Sequence, residues 1–250
     1  MTARPAGFLS VMADRAPVTS ETLDYFPTPP WAARAGGELI KFIDPGARSA
    51  WEPACGGGHM AHGLRDYFDA VSESDIVQYG TNIVGDFLSL DDHLWWPRVD
   101  WIVTNPPFIH GEAFVREAWK RAKRGVAMLL RLSFLEGVSR HALLHHDLTL
   151  YCVAPFAERV PMVKGRWDPK ASTATAYAWF IWVKPGCVEV PDRPFLASIP
   201  PGSRPRLTKP SDLARFYAPP PPVDWTEFDR RWGVGDVSDD LNPLTESDDE

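Results

Sequence analysis

The sequence predicts an α/β fold, a mostly parallel sheet with helices on both faces, and three observations carry that expectation. An apolar run, Asp100-Trp101-Ile102-Val103-Thr104, reads as a buried parallel strand and leads straight into Asn105-Pro106-Pro107-Phe108. Upstream, Trp51-Glu52-Pro53-Ala54-Cys55 is followed by Gly56, Gly57 and Gly58, which read as a strand end, a tight turn and a helix start. Between them lie two short strands, each ending near an acid: Asp75 in the first and Asp86 in the second. Open α/β sheets bind ligands at the carboxyl ends of their strands, so all three observations put chemistry on one edge.

The elements follow in chain order. Residues 1 to about 22 have few large apolar side chains and no period, and read as a flexible arm. After the glycine turn, Met60, Leu64, Tyr67 and Phe68 fall at i, i+4, i+7 and i+8, one face of a helix. The turn is neither Gly-x-Gly-x-x-Gly nor followed by Gly-Lys-[Ser/Thr], which argues against a dinucleotide fold and a P-loop. Ala70 to Ile76 reads as a strand, and Asn82 to Gly85 as a short one before Asp86-Phe87. A helix over Glu112 to Lys123 puts Phe114, Val115, Ala118, Trp119 and Ala122 on one face and Arg116, Lys120 and Lys123 on the other, solvated side. Leu148 to Ala154 and Thr175 to Val183 read as two later strands. From about Pro185 proline dominates, and residues 185–250 are expected to be a largely irregular extension. Within it Trp225, Phe228 and Trp232 are the exception, a cluster suited to docking.

Charge and cysteine usage narrow the class. The formal charge of −7 is concentrated: residues 224–250 hold ten acids against Arg230 and Arg231. The other 223 residues carry 23 acids and 24 bases, a neutral to slightly basic body that leaves nucleic-acid binding open, since only the contacting face must be basic. Cys55, Cys152 and Cys187 are far apart and form no Cys-x-x-Cys, so they read as reduced thiols in a chain without disulfide or zinc framework. No apolar run reaches eighteen residues and the start lacks a charged-then-apolar signal, so neither a membrane span nor export is expected.

At the edge where these strands end, the residue types point to a flat amine. An exocyclic amine needs two acceptors for its hydrogens and an aromatic plane to stack on. The side-chain oxygen of Asn105, the carbonyl of Pro106 and the ring of Phe108 supply that set. Pro107 confines Pro106 to extended geometry and so aims its carbonyl. Asp75 at a strand end is placed to accept both hydroxyls of a ribose, and Asp86-Phe87 suits an adenine amine and ring.

On these motifs the sequence resembles S-adenosylmethionine-dependent methyltransferases of the amino-group type, and most of all DNA adenine-N6 methyltransferases of the compact phage or prophage kind. The likeness runs from residue 23 to 184 with the motifs in the family's order. It implies a Rossmann-like class I methyltransferase fold with seven strands, the last antiparallel, over a domain of residues 23–184. It implies S-adenosylmethionine as cofactor, held by Tyr25, Thr28 and Pro29 of a first motif, by Glu52, Pro53, Ala54, Gly56 and Gly58 of the glycine motif, and by Asp75, Ile76, Asp86, Phe87 and Asn105. The catalytic set is Asn105, Pro106, Pro107 and Phe108. Arg131 to Gly137 resembles the segment after the fifth strand. The implied partner is DNA with a flipped adenine in a cytoplasmic setting, with no metal and no membrane. A Pro-Cys dipeptide, needed for methylation at cytosine carbon 5, does not occur.

Target recognition has one candidate, the insertion Glu158 to Thr173. There Lys164, Arg166 and Trp167 interleave charge and aromatic area and suit phosphate contact and base stacking, or form a plain solvated hairpin. The family's separate recognition domain has no counterpart here. RNA or a protein glutamine remains an alternative acceptor, because Asn-Pro-Pro-aromatic polarises any planar amine or amide; the short segment before the first motif favours DNA. A cofactor-binding fold degenerated into an interaction module is the alternative outside enzymes.

Overall fold

The computed structural model describes residues 25–80, 82–89 and 96–217. The arm over residues 1–22 and the cluster of Trp225, Phe228 and Trp232 lie outside them. The described chain opens with α1 (Pro30–Ile43), a helix the sequence reading did not single out. Pro30 sits at its first position, where the missing N–H has no partner to lose. The helix packs so close to the sheet that a Cβ on Gly36 would come 2.5 Å from the Trp179 ring.

The elements that follow are β1 (Ser49–Glu52), α2 (His59–Leu64), β2 (Ala70–Asp75), β3 (Ile83–Val84) and β4 (Trp101–Thr104). Next come α3 (Gly111–Arg121), β5 (Gly125–Arg131), β6 (Leu150–Pro155) and β7 (Tyr177–Val183). Short 3-10 turns and a π-helical turn at Leu143–Asp147 connect β5 to β6. The strand order is β3-β2-β1-β4-β5-β7-β6-β8, where β8 is Phe195–Leu196. Strands β1 to β5 pair in parallel, and β7 inserts antiparallel between β5 and β6, from Gly125↔Val183 to Arg131↔Tyr177. The antiparallel last strand of the expected seven is therefore β7. The sheet has eight strands rather than seven, because β8 adds to the edge in parallel register, Cys152↔Phe195 and Val153↔Leu196.

A parallel sheet is apolar on both faces, since helices must cover both. Here Trp31, Met60, Leu64, Trp179 and Ile181 build one core under α1 and α2. Trp51, Ile102, Phe114, Val126 and Trp182 build the other under α3. The face of α3 read as solvated is ion-paired: Arg116 with Glu112 and Asp147, Lys120 with Glu117.

Packing does not stop near residue 184. Beyond β8 the chain forms α4 (Ser203–Leu207) and α5 (Pro210–Phe216), and Ile199 and Leu207 are buried in the α1 core. Arg34 of α1 is 1% exposed and clamps Asp212 of α5 with two bonds of 2.6 and 2.8 Å, while also donating to the Leu207 carbonyl. Proline in this stretch marks a helix start, Pro210, rather than irregular chain. Among the described residues no helix is long and apolar enough to cross a membrane.

Removing one partner of a buried ion pair strands the other charge, which typically costs about 3–5 kcal/mol. Because Arg34 keeps Asp66 as a partner at 2.5 Å, Asp212→Ala is expected to lower the unfolding free energy by less than that, about 1–3 kcal/mol, in urea titrations. Arg48→Ala, which breaks an exposed pair with Asp69, should change it by less than about 0.5 kcal/mol.

Candidate active site

Four adjacent strands, β3-β2-β1-β4, end on one side of a cavity of about 550 Å³, and each contributes polar groups to its lining. That volume lies in the range of about 300–1,000 Å³ typical of small-molecule sites. Glu52, Pro53 and Ala54 line it from the end of β1, Asp75 and Ile76 from β2, Asp86 and Phe87 from beyond β3, and Asn105 and Pro107 from beyond β4. Tyr25 and Thr28 close it from the segment before α1.

The glycine turn is held by three backbone donors. The Gly56 amide donates to Asp75 Oδ2 at 2.8 Å, the Gly57 amide to the Tyr25 hydroxyl at 3.2 Å and the Gly58 amide to the Cys55 carbonyl at 2.9 Å. Gly56 has φ +49° and a Cβ there would meet the Tyr25 ring at 2.4 Å, so the position requires glycine twice over. The Asp75 carboxylate also accepts from the Val77 amide at 3.0 Å, and carboxylate lone pairs remain for a further donor.

The lining is acidic, with Glu52, Asp75 and Asp86 and neither lysine nor arginine among the described residues. Glu52 is 2% exposed and has no ion-pair partner among the described residues. Burial pushes its carboxyl well above the ordinary glutamate range, and Asp75 adds to the rise, against the pull of the Ala61 amide that donates to it at 2.8 Å. Burial also raises Asp75, offset by the amides of Gly56 and Val77. A cation placed beside these carboxyls would favour their ionised forms.

Asn105 presents one unused atom. Its Nδ2 donates to the Phe26 carbonyl at 3.2 Å and lies 3.7 Å from Met162 Sδ, which leaves Oδ1 buried and without a partner. A buried acceptor with no partner is uncommon and costly, and marks the place where a ligand donor belongs.

Not every expected residue faces the cavity. Pro29 caps α1 with its carbonyl, which accepts from Ala32 at 2.9 Å. Gly58 opens α2 at φ +76° outside the lining. Phe87 lines it but is only 2% exposed, wedged between Trp51 and Phe114 at centroid distances of 5.2 and 5.0 Å, so its role is largely core. Pro106 is buried outside the lining. Phe108 stands beside the cavity in an aromatic group with Phe26 at 5.3 Å and Tyr177 at 6.3 Å, and the Arg131 guanidinium lies 4.0 Å over its ring. In the 158–173 insertion, Lys164 and Arg166 are exposed at the tip of a tight hairpin tied to the site by the Gly165 amide, which donates to the Tyr25 carbonyl at 2.8 Å. Trp167 corrects the stacking expectation. It is 2% exposed and bridged to Tyr217, so its ring is core rather than a platform for a base.

The reading of the sequence missed Tyr79, whose ring packs 5.1 Å from Tyr25, and His59, Ile109 and His110, which complete the lining. All four fall within three residues of a motif already recognised, which is the signal that was available. Cys55 is buried with its thiol pushed up by burial, in keeping with a small-residue slot.

No family model matches this sequence and no curated protein does. Among solved structures, a proposed RNA methyltransferase from Pyrococcus horikoshii superposes with a TM-score of 0.50 at 15% identity, over 68% of this chain and 90% of that one. The fold is a Rossmann-like methyltransferase fold. At that identity the likeness bears on the fold alone. The modification subunit of a proposed type I restriction enzyme from Vibrio vulnificus YJ016 and the methyltransferase subunit of a type I restriction-modification system from Streptococcus thermophilus each give a TM-score of 0.48 at 15% identity. They match 76% and 63% of this chain, which spans only 51% and 44% of theirs.

Glu52 generates a pH prediction. Its carboxyl in the folded protein lies above the ordinary value of 4.5, so the folded state holds a proton that the unfolded chain has released. Stability from this group is present below about pH 4.5 and is lost as pH rises through the raised value. Glu52→Gln, which mimics the protonated form, should gain stability relative to wild type as pH rises above about 4.5, at no more than about 1.4 kcal/mol per pH unit. Paired thermal or urea unfolding curves at several pH values measure the difference.

Proposed function

We propose that this protein transfers a methyl group from S-adenosylmethionine to the 6-amino group of adenine in DNA, taking the base out of the duplex. The observation that carries the reading is the buried, unpartnered Oδ1 of Asn105 at the end of β4, beside an acidic cavity of cofactor size. The cofactor fits the residues present. Its sulfonium and ammonium match a cavity lined by Glu52, Asp75 and Asp86, and its ribose hydroxyls match the open lone pairs of Asp75. When bound, S-adenosylmethionine supplies an electrophilic methyl, and transfer breaks its S–CH3 bond, forms an N–CH3 bond and releases the amine proton to water.

The chain's own residues orient and polarise. Asn105 Oδ1 accepts one amine hydrogen, which localises the nitrogen lone pair toward the methyl. Phe108 offers the stacking face for a base rotated into the site. The Arg131 guanidinium that covers it is exposed and stays next to the backbone of whatever strand enters. Arg159, Lys164, Arg166 and Lys170 are exposed in the same β6–β7 insertion, and suit a polyanion better than an amide of a folded protein.

Incorporation of labelled methyl into DNA, RNA or protein by the pure chain tests the acceptor, with DNA expected and transfer only to RNA or protein overturning it. Asn105→Ala should lower turnover about 10²–10³-fold while cofactor affinity stays within about twofold, since a preorganised polar contact to the reacting group is worth that much. Asp75→Asn should do the reverse, weakening S-adenosylmethionine by roughly ten- to hundredfold in calorimetry. Unchanged affinity would move the ribose contact elsewhere.

A further inference from the structure

The acidic lining poses a question that the methyl-transfer reading leaves open. S-adenosylmethionine carries one anion, the carboxylate of its methionine end, and the cavity has neither lysine nor arginine among the described residues to receive it. The backbone amides that such folds hold out at the glycine turn are taken here: Gly56 by Asp75, Gly57 by the Tyr25 hydroxyl and Gly58 by Cys55. His59, the next residue, lines the cavity and is 8% exposed, and its Nδ1 is buried with no partner. That nitrogen lies beside Gly57, where a Cβ would meet it at 3.4 Å and the Tyr25 hydroxyl at 2.9 Å. It is thus at the β1 end of the cavity, next to the glycine turn.

His59 does not hold its place alone. Phe216, the last residue of α5, stacks on its imidazole at 4.1 Å between centroids and 28° between planes. Phe216 also meets the His62 ring edge-on at 5.3 Å. Helix α5 is fixed at its other end by the Arg34–Asp212 pair, and Tyr217 bridges to Trp167 in the insertion that bonds Tyr25. His62 Nε2 also lies 3.2 Å from Asp212 Oδ1, and Lys209 at the start of α5 pairs with Asp66 at 2.8 Å.

Resting on the S-adenosylmethionine reading, we propose that His59 binds the carboxylate of the cofactor's methionine end through an Nδ1–H, and that α5 is a positioning arm of the cofactor site, acting through Phe216. Burial, with help from His62 and Arg215, pulls the imidazole down to about 4, so near neutral pH His59 carries one N–H and no charge. A neutral donor suits this place: it binds the carboxylate without repelling the ammonium that sits beside it.

The test uses the full chain and two ligands in calorimetry, S-adenosylhomocysteine and 5′-methylthioadenosine, which lacks the amino-acid end. His59→Ala is expected to weaken S-adenosylhomocysteine by roughly ten- to hundredfold, the worth of a hydrogen bond to a charged group, and to leave 5′-methylthioadenosine within about twofold. His59→Asn, whose Nδ2 can reproduce the donor, should recover most of the loss. Phe216→Ala should show the same selectivity with a smaller loss, and Phe216→Tyr should bind as wild type. Equal losses for both ligands would make the histidine and the helix merely structural and overturn the proposal, as would an unchanged S-adenosylhomocysteine affinity in His59→Ala. A wild type that binds neither ligand would instead remove the cofactor reading, and this inference with it.

Discussion

A parallel sheet buried on both faces leaves one place for chemistry, and the rest of this molecule follows from that constraint. Strands β4, β5 and β7 carry mainly apolar side chains toward both helical layers. Polar side chains are tolerated where the strands end. With neighbouring strands about 4.8 Å apart, the four ends of β3-β2-β1-β4 span roughly 14 Å, enough for an extended nucleoside bearing an amino-acid tail. The strand order then dictates the order of contacts in the proposed reading: adenine toward β3, ribose at β2, the methionine end at β1, the acceptor amine at β4.

Electrostatics divides the same edge in two. Inside, Glu52, Asp75 and Asp86 make a lining that favours a cationic ligand and opposes one that brings phosphate. Outside the lining, Lys164, Arg166 and Arg131 are exposed. In the proposed reading, a polyanionic strand and a cationic cofactor would each meet a field of the sign it requires.

What the sequence made legible was local. Asp75 and Asp86 stood at predicted strand ends and Gly56 in a predicted turn, and each is where its neighbours in the chain imply. Long-range packing decided what was missed. Helix α5 lies in proline-rich chain whose composition suggests irregularity, yet Arg34 reaches it across 178 positions. Trp167 looked like a basic-loop aromatic, and only the Tyr217 bridge and the burial beneath it show it to be core. Phe108 was read as lining the pocket; its packing with Phe26, Tyr177 and Arg131 sets it to one side, a geometry that three other elements determine.

These misses share a cause that also separates cofactor from substrate. In the proposed reading the interior of the site is written in buried polar groups, the unpartnered Asn105 Oδ1 and His59 Nδ1 and the carboxyl of Glu52. Each restricts its ligand by donor, acceptor or charge, because a buried group left unpaired costs more than a mismatched partner can return. The substrate side is written in exposed cations, which any phosphate backbone satisfies and which carry no information about base sequence. In the proposed reading, selectivity for the acceptor arises where the two sides meet, at the Asn105 oxygen and the Phe108 ring. There, hydrogen-bond geometry and a flat stacking face together admit an amine on an aromatic base and exclude groups that have only one of the two.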